Sequence, residues 1–221
     1  MRASFAAHGF TPANSEFLTI DNSAGNATCA YRGLTEMLGR ARGEAVILCH
    51  QDVRLIGDDA VALGALLAAL PPDWAVAGNA GATAAGDLVI RITDPHGADQ
   101  RRGAFPARVL SLDENFLVLR GGLGIAPSPA LTGFHLYGTD LCLAAREKGR
   151  SAWVIDFHLH HLSPGRVATD FLDCQEAFER AWGRRTGRAE RIRTTCTVLT
   201  LRAGIGHLTG AWRLARRRRR V

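Results

Sequence analysis

Two stretches of this chain place metal-ligating side chains directly after apolar runs. Ala45-Val46-Ile47-Leu48-Cys49 is uninterrupted and stops abruptly at His50-Gln51-Asp52. A carboxylate at the end of a buried segment is costly unless it has a partner or a task. Polar residues at the carboxyl end of a buried parallel strand are also where open α/β sheets hold ligands. Asp52 is therefore a candidate ligand for a divalent cation, with capping of the next turn or pairing with Arg54 as the structural alternative. The second stretch, residues 153–157, leads into His158, His160 and His161, followed by Leu162-Ser163-Pro164-Gly165. Imidazole ligates manganese-like cations, and a Pro-Gly loop can close over phosphates; packing or surface positions are the expectation for two of the three histidines. Asp140 opens a helix, where the dipole favours an acid, so structural and catalytic roles fit its position equally. A cation, a phosphate loop and a carboxylate base are what transfer from a nucleotide diphosphate requires. The leaving diphosphate must be neutralised, and the acceptor hydroxyl must lose its proton.

The elements that must position these residues follow from spacing. Residues 16–20 read as a short buried strand running into the turn-forming Asp21-Asn22-Ser23-Ala24-Gly25. Within residues 27–42, Tyr31, Leu34, Met37, Leu38 and Ala41 share one helical face, and Gly43 supplies the stop. The run at 45–49 predicts a strand buried on both faces. Residues 58–70 predict a helix closed by Pro71-Pro72, and 74–77 a strand. Strands at 88–92 and 107–112 flank an irregular loop, 93–106, and 116–119 is another short strand. Residues 139–148 and 170–185 predict helices, with a strand at 153–157 between them. This alternation predicts an α/β fold.

Composition narrows the function classes. The net charge of +6 resides in Arg213, Arg216, Arg217, Arg218, Arg219 and Arg220 at the C-terminal end; without these six the chain is neutral. Lys148 is the only lysine, so arginine abundance reads as compositional bias and singles out no binding residue. Five scattered cysteines without a C-x-x-C pair suggest neither a zinc knuckle nor a disulfide framework, and a reducing cytoplasm is the simpler setting. No signal peptide or membrane-spanning run of about 20 apolar residues stands out. The chain divides into one unit, 1–196, and an amphipathic, arginine-rich tail, 197–221.

Taken together, these motifs resemble bacterial family 2-like glycosyltransferases of the capsule-biosynthesis type. Asp21-Asn22-Ser23, an Ala-Tyr helix entry, and Ala41-Arg42-Gly43-Glu44 leading into His50-Gln51-Asp52-Val53 carry the first part of the resemblance. The run from Gly133-Phe134-His135-Leu136-Tyr137-Gly138 through Thr139-Asp140-Leu141-Cys142-Leu143, then His161-Leu162-Ser163-Pro164-Gly165, carries the rest. The match extends over residues 15–201. It implies a GT-A-like α/β fold with a mixed, mainly parallel sheet flanked by helices. It also implies an inverting transfer dependent on manganese or magnesium, from a nucleotide-sugar donor to a saccharide or lipid-linked acceptor in cell-surface polysaccharide synthesis. By the same resemblance, Asp52 and His161 hold the cation and His50 replaces the first acid of an Asp-x-Asp motif. Asp21, Asn22, Ser23 and Gln51 then lie at the nucleotide sugar, Asp113 and Glu114 lie near the sugar or acceptor, and Asp140 or His135 is the base.

Three departures stand out. The family's first strand has no counterpart, and residues 1–10 resemble the helix that follows it. Arg32 stands where an asparagine often follows Ala-Tyr, and Gly138 stands where many relatives have an acid. A glycosyltransferase-like binding protein with impaired catalysis is the alternative these raise. Two expectations fit the tail equally: it rests on an anionic membrane surface through Arg216, Arg217, Arg218, Arg219 and Arg220, on the inner face of the cell membrane, or it is a C-terminal helix packed on the domain and followed by a basic stub. A polyanion-binding module acting through that tail is a further alternative, although the neutral body argues against a specific nucleic-acid partner.

Overall fold

The computed structural model describes residues 1–165 and 169–202. In chain order the elements begin with helices α1 (Arg2–Ala7) and α2 (Ala30–Arg40). Strands β1 (Ala45–Cys49) and β2 (Val53–Leu55) precede helix α3 (Ala60–Ala68). Seven strands follow: β3 (Trp74–Gly78), β4 (Ala80–Ala82), β5 (Leu88–Asp94), β6 (Gly97–Arg102), β7 (Ala107–Val109), β8 (Ser111–Leu112) and β9 (Phe116–Arg120). Helix α4 (Tyr137–Glu147), β10 (Ser151–Val154), β11 (Leu159–His161), helix α5 (Thr169–Thr186) and the hairpin β12 (Glu190–Arg193)–β13 (Val198–Leu201) complete the order.

Among the described residues these strands build two larger sheets beside the separate β12–β13 hairpin. The first runs β1-β9-β3-β10-β7; the second runs β2-β11-β5-β4-β8, with β6 beside β5, and curls into a half-barrel. Among the described residues, two of the ten strand pairings are parallel, β10 with β3 and β11 with β5. The mainly parallel, GT-A-like sheet implied by the resemblance is therefore corrected to a mostly antiparallel mixed α/β architecture. An apolar run reports that a strand has covered faces and carries no information about direction. The partner of β1 is β9, which returns antiparallel along all five of its residues.

The first sheet separates two cores, and the side-chain alternation of β9 shows how. Leu117 and Leu119 join the core formed with α2, α4, α5 and the β12–β13 hairpin. Phe116 and Val118 face the other core, with Phe5 of α1, Leu63 and Leu67 of α3, and Leu159 of β11. Asp59 caps α3 by accepting the Ala62 N–H at 2.8 Å, which trims the expected helix at its start.

Three further expectations shift. Residues 16–20 form no strand: Phe17 is exposed, and Glu16 pairs with Arg42 instead. An apolar cavity of about 570 Å³, lined by Leu34, Met37, Val46, Ile47, Leu63 and Leu67, lies beside β1, the edge strand of its sheet. The irregular loop 93–106 contains β6, a polar strand whose hairpin is tied by Arg91 to Asp99 and by Arg91 and Arg101 to Asp156. Residues 198–201 pair with β12, and β13 packs on α5, so the folded unit extends past the expected boundary at 197. Arg216, Arg217, Arg218, Arg219 and Arg220 lie outside the described residues. Among the described residues no helix is long and apolar enough to cross a membrane.

Candidate metal centre

His50, Gln51 and Asp52 form the turn between β1 and β2, which both neighbouring strands fix. The His50 N–H donates to the Asn115 carbonyl at 3.1 Å, just before β9 begins. The Leu162 N–H donates to the Asp52 carbonyl at 3.2 Å, just after β11 ends. Pairing of β11 with β2 sets His161 opposite Val53. Sheet register thus brings residues more than a hundred positions apart to one end of the fold.

There His50, Asp52 and His161 converge, with one ligand atom from each within 4.8 Å of the others. His161 Nε2 lies 3.2 Å from His50 Nδ1, 3.3 Å from Asp52 Oδ1 and 3.2 Å from the Ser163 hydroxyl. A single ring nitrogen carries at most one proton and cannot satisfy three such neighbours. Asp52 Oδ1 is buried and makes no hydrogen bond, an arrangement that costs about 1–3 kcal/mol or more for a charged group. A cation with bonds of about 2.0–2.2 Å holds neighbouring ligand atoms about 2.8–3.6 Å apart, in octahedral to tetrahedral sets. The spacings of 3.2 and 3.3 Å from His161 to His50 and Asp52 fall in that range, and the orphaned carboxylate oxygen is what a cation would satisfy.

The tautomer of His50 follows from its surroundings. The Tyr137 hydroxyl donates to the Glu114 carbonyl at 3.2 Å and lies 3.1 Å from His50 Nε2. With its one proton committed to Glu114, the phenol must accept from His50 Nε2–H, which leaves the Nδ1 lone pair facing His161 and Asp52. An N–H held on the far side of a ligating ring is the usual outer-shell arrangement for orienting it. Burial pushes the His50 pKa down, only partly opposed by the Asp113 charge, so the ring is held neutral. Burial pushes the Asp52 carboxyl up, but the Ser163 hydroxyl and the His161 ring outweigh it and hold the group below its usual value.

Glu114 lies in the connection between β8 and β9, beside the residue that anchors His50. The backbone N–H groups of Leu136 and Gly138 draw its carboxyl down, but less than burial raises it. Burial, with Asp113 adjacent, pushes it up to about 8. Asp113 is fully engaged: Oδ1 accepts from the Asn115 N–H and amide, and Oδ2 accepts the Thr195 hydroxyl at 2.7 Å. That last bond brings the tip of the β12–β13 hairpin to the site.

Other expected site residues are placed elsewhere. Asp140 is 0% exposed in the core behind α4, accepting from the Ser128 N–H, the Ser128 hydroxyl and the Trp182 indole at 2.6, 2.6 and 2.7 Å. Burial raises its pKa. An acid enclosed in this way is placed to hold α4 against α5 through Trp182. His135 lies 3.6 Å from Asp170 and packs against Phe171 of α5. Asp21 accepts from Ser23, and Asn22 bonds both backbone groups of Thr28, so this trio organises its own loop before α2. Gln51 is exposed on the turn. The sequence alone assigns no role to Tyr137 or Ser163, although both lie inside the motifs that carry the resemblance and their hydroxyls are the available signal.

Comparison with known proteins adds one relative. Over 176 residues the chain is 43% identical to a protein named ATP synthase subunits region ORF 6, from Fuscovulum blasticum; the match covers 76% of this chain and 70% of that protein. No protein-family model matches the chain.

Proposed function

The chain belongs to the family of the Fuscovulum blasticum ORF 6 protein, and for it we propose a divalent-metal-dependent glycosyltransferase activity. The donor is a nucleoside diphosphate sugar and the acceptor a saccharide or lipid-linked saccharide. One observation carries this reading: two sequence-distant motifs of the resemblance meet as a cluster of two imidazoles and a carboxylate with an unsatisfied buried oxygen. His50, Asp52 and His161 would hold the cation, which supplies charge neutralisation to the departing diphosphate. Two imidazoles favour manganese over magnesium, because magnesium prefers an all-oxygen shell. Ser163, on the loop after β11, stands beside the same atoms and is suited to a phosphate oxygen. The protein would act in the cytoplasm, and tail contact with the inner membrane face would bring a lipid-linked acceptor within reach.

The ligand set itself favours a second reading. Two histidines and one carboxylate are also the facial triad that holds non-haem iron(II) for oxygen chemistry. The transferase reading takes precedence because the Asp21-Asn22-Ser23 and Gly133–Leu143 motifs of the resemblance accompany the triad in sequence order. Incubation with a panel of UDP-, GDP- and dTDP-sugars and manganese separates the readings. Metal-dependent release of nucleoside diphosphate supports transfer. Absence of release with every donor, together with iron(II)-dependent consumption of oxygen, overturns it.

A further inference from the structure

We propose that Asp113 is a positioning residue of the metal centre: held by Thr195 of the β12–β13 hairpin, it fixes the peptide that orients His50. The inference rests on the cation cluster of the reading above and not on the transfer step. The resemblance implies a place for Asp113 near the sugar or acceptor; its contacts point toward the cation instead.

His50 is gripped at two places by residues 114 and 115. Its backbone N–H donates to the Asn115 carbonyl at 3.1 Å. Its ring reaches the Tyr137 hydroxyl at 3.1 Å, and that hydroxyl donates to the Glu114 carbonyl at 3.2 Å. The Glu114 carbonyl and the Asn115 N–H belong to one planar peptide unit, so whatever fixes the N–H also fixes the carbonyl. Asp113 supplies that restraint: Oδ1 accepts the N–H at 3.1 Å and the Asn115 side-chain amide at 2.7 Å. Rotation of this peptide would shift the phenol, and with it the ring whose Nδ1 lies 3.2 Å from His161 Nε2.

Asn115 shows that this turn is kept at a cost. The residue is 1% exposed, and among the described residues its Oδ1 has no hydrogen-bond partner, which is unfavourable for a buried amide. The opposite amide orientation would set that oxygen against Asp113 Oδ1, so the bond to Asp113 selects the costly arrangement. A site that needs this peptide in one place would retain such a cost.

The hairpin holds Asp113 from the other side. Asp113 Oδ2 accepts the Thr195 hydroxyl at 2.7 Å, and two residues earlier the Ser111 hydroxyl donates to the Arg193 carbonyl at 2.6 Å. These paired bonds lay the hairpin along β8 and the residue that follows it. The hairpin tip is itself tightly closed. The Thr194 N–H donates to the Thr197 carbonyl at 2.8 Å, and the Thr194 hydroxyl accepts the Thr197 N–H at 2.9 Å. The Thr197 hydroxyl donates to Gln175 Oε1 at 3.1 Å, tying the tip to α5. A connected series of bonds thus runs from α5 through the hairpin tip, Asp113 and the 114–115 peptide to His50.

The test measures cation binding by the full chain without nucleotide. Manganese affinity is read from the electron paramagnetic resonance signal of the unbound ion, and cobalt(II) supplies a visible spectrum sensitive to ligand geometry. Asp113→Ala is expected to lose about 10–100-fold in manganese affinity, the usual effect of removing outer-shell support. Thr195→Val keeps the shape of the side chain and removes only the hydroxyl. It should lose affinity in the same direction and alter the cobalt spectrum, and it stands in if Asp113→Ala does not fold. Thr195→Ser, which restores the hydroxyl, should bind both ions as the wild type does. Folded variants at 113 and 195 that match wild type in manganese affinity and cobalt spectrum overturn the positioning role and leave the transferase reading standing. A folded wild type that binds neither ion overturns the cation cluster, and the positioning role and the transferase reading fall together.

Discussion

Replacing Asp140 by asparagine asks whether that acid serves packing or chemistry. Its Oδ2 accepts the Ser128 N–H at 2.6 Å; its Oδ1 accepts the Ser128 hydroxyl at 2.6 Å and the Trp182 indole N–H at 2.7 Å. Asparagine converts one oxygen to an amide NH₂. At the Oδ2 position it sets a donor against the Ser128 N–H; at the Oδ1 position it sets a donor against the indole. Either orientation leaves at least one buried donor unpaired, at about 1–3 kcal/mol, and weakens the rest by removing the charge that assists them. A loss of about 2–4 kcal/mol is expected, a large part of a typical stability of about 5–15 kcal/mol. With a urea slope of about 1–3 kcal/mol/M, the midpoint falls by roughly 1–2 M. Tryptophan fluorescence reads the transition, since Trp182 is itself buried against Asp140. Below that transition, manganese-dependent nucleotide binding should match wild type. A midpoint within about 0.3 M of wild type combined with abolished turnover would refute the reasoning and return Asp140 to the chemistry.

Two further predictions concern the approach of α4 to β8. Gly138→Ala places a methyl 2.5 Å from the Leu112 oxygen, so it should destabilise by about 1–3 kcal/mol or more, which thermal denaturation checks. Glu114 has a folded-state pKa raised from 4.5 to about 8, so the folded protein binds the extra proton and stability falls as pH rises from about 4.5 through 8. In Glu114→Gln that decline should flatten, and a pH series of urea midpoints with an unchanged slope would contradict the burial of this carboxyl.

Much of the architecture was legible because apolar periodicity reports burial. The strands at 45–49, 74–77 and 116–119 and the helices near 30–40, 60–68, 137–147 and 169–186 follow from it. Direction did not follow, because the same apolar run is compatible with a parallel or an antiparallel neighbour, and β9 supplied the latter. Strand β6 was hidden for a different reason: Gly-Ala-Asp-Gln-Arg-Arg has no apolar alternation, and its hairpin depends on ion pairs to Arg91 and Asp156 that only the tertiary fold assembles. At the site, Asp52 and His161 stood out as polar residues ending apolar runs. His50 entered only as a replaced acid, and its place in the cluster depends on the Tyr137 bond that fixes its tautomer. The burial of Asp140 was invisible in sequence, since an acid in a first helical turn reads the same whether it faces water or Trp182.

The claim on which the rest depends is that His50, Asp52 and His161 hold a divalent cation that recruits a nucleoside diphosphate. Calorimetric titration of UDP, GDP and dTDP into the protein, with and without manganese, on wild type and Asp52→Ala, tests it directly. The account predicts binding of at least one nucleotide that requires manganese and is lost in Asp52→Ala. Nucleotide binding that is indifferent to manganese and to Asp52, or no binding of metal or nucleotide by folded wild type, would contradict it.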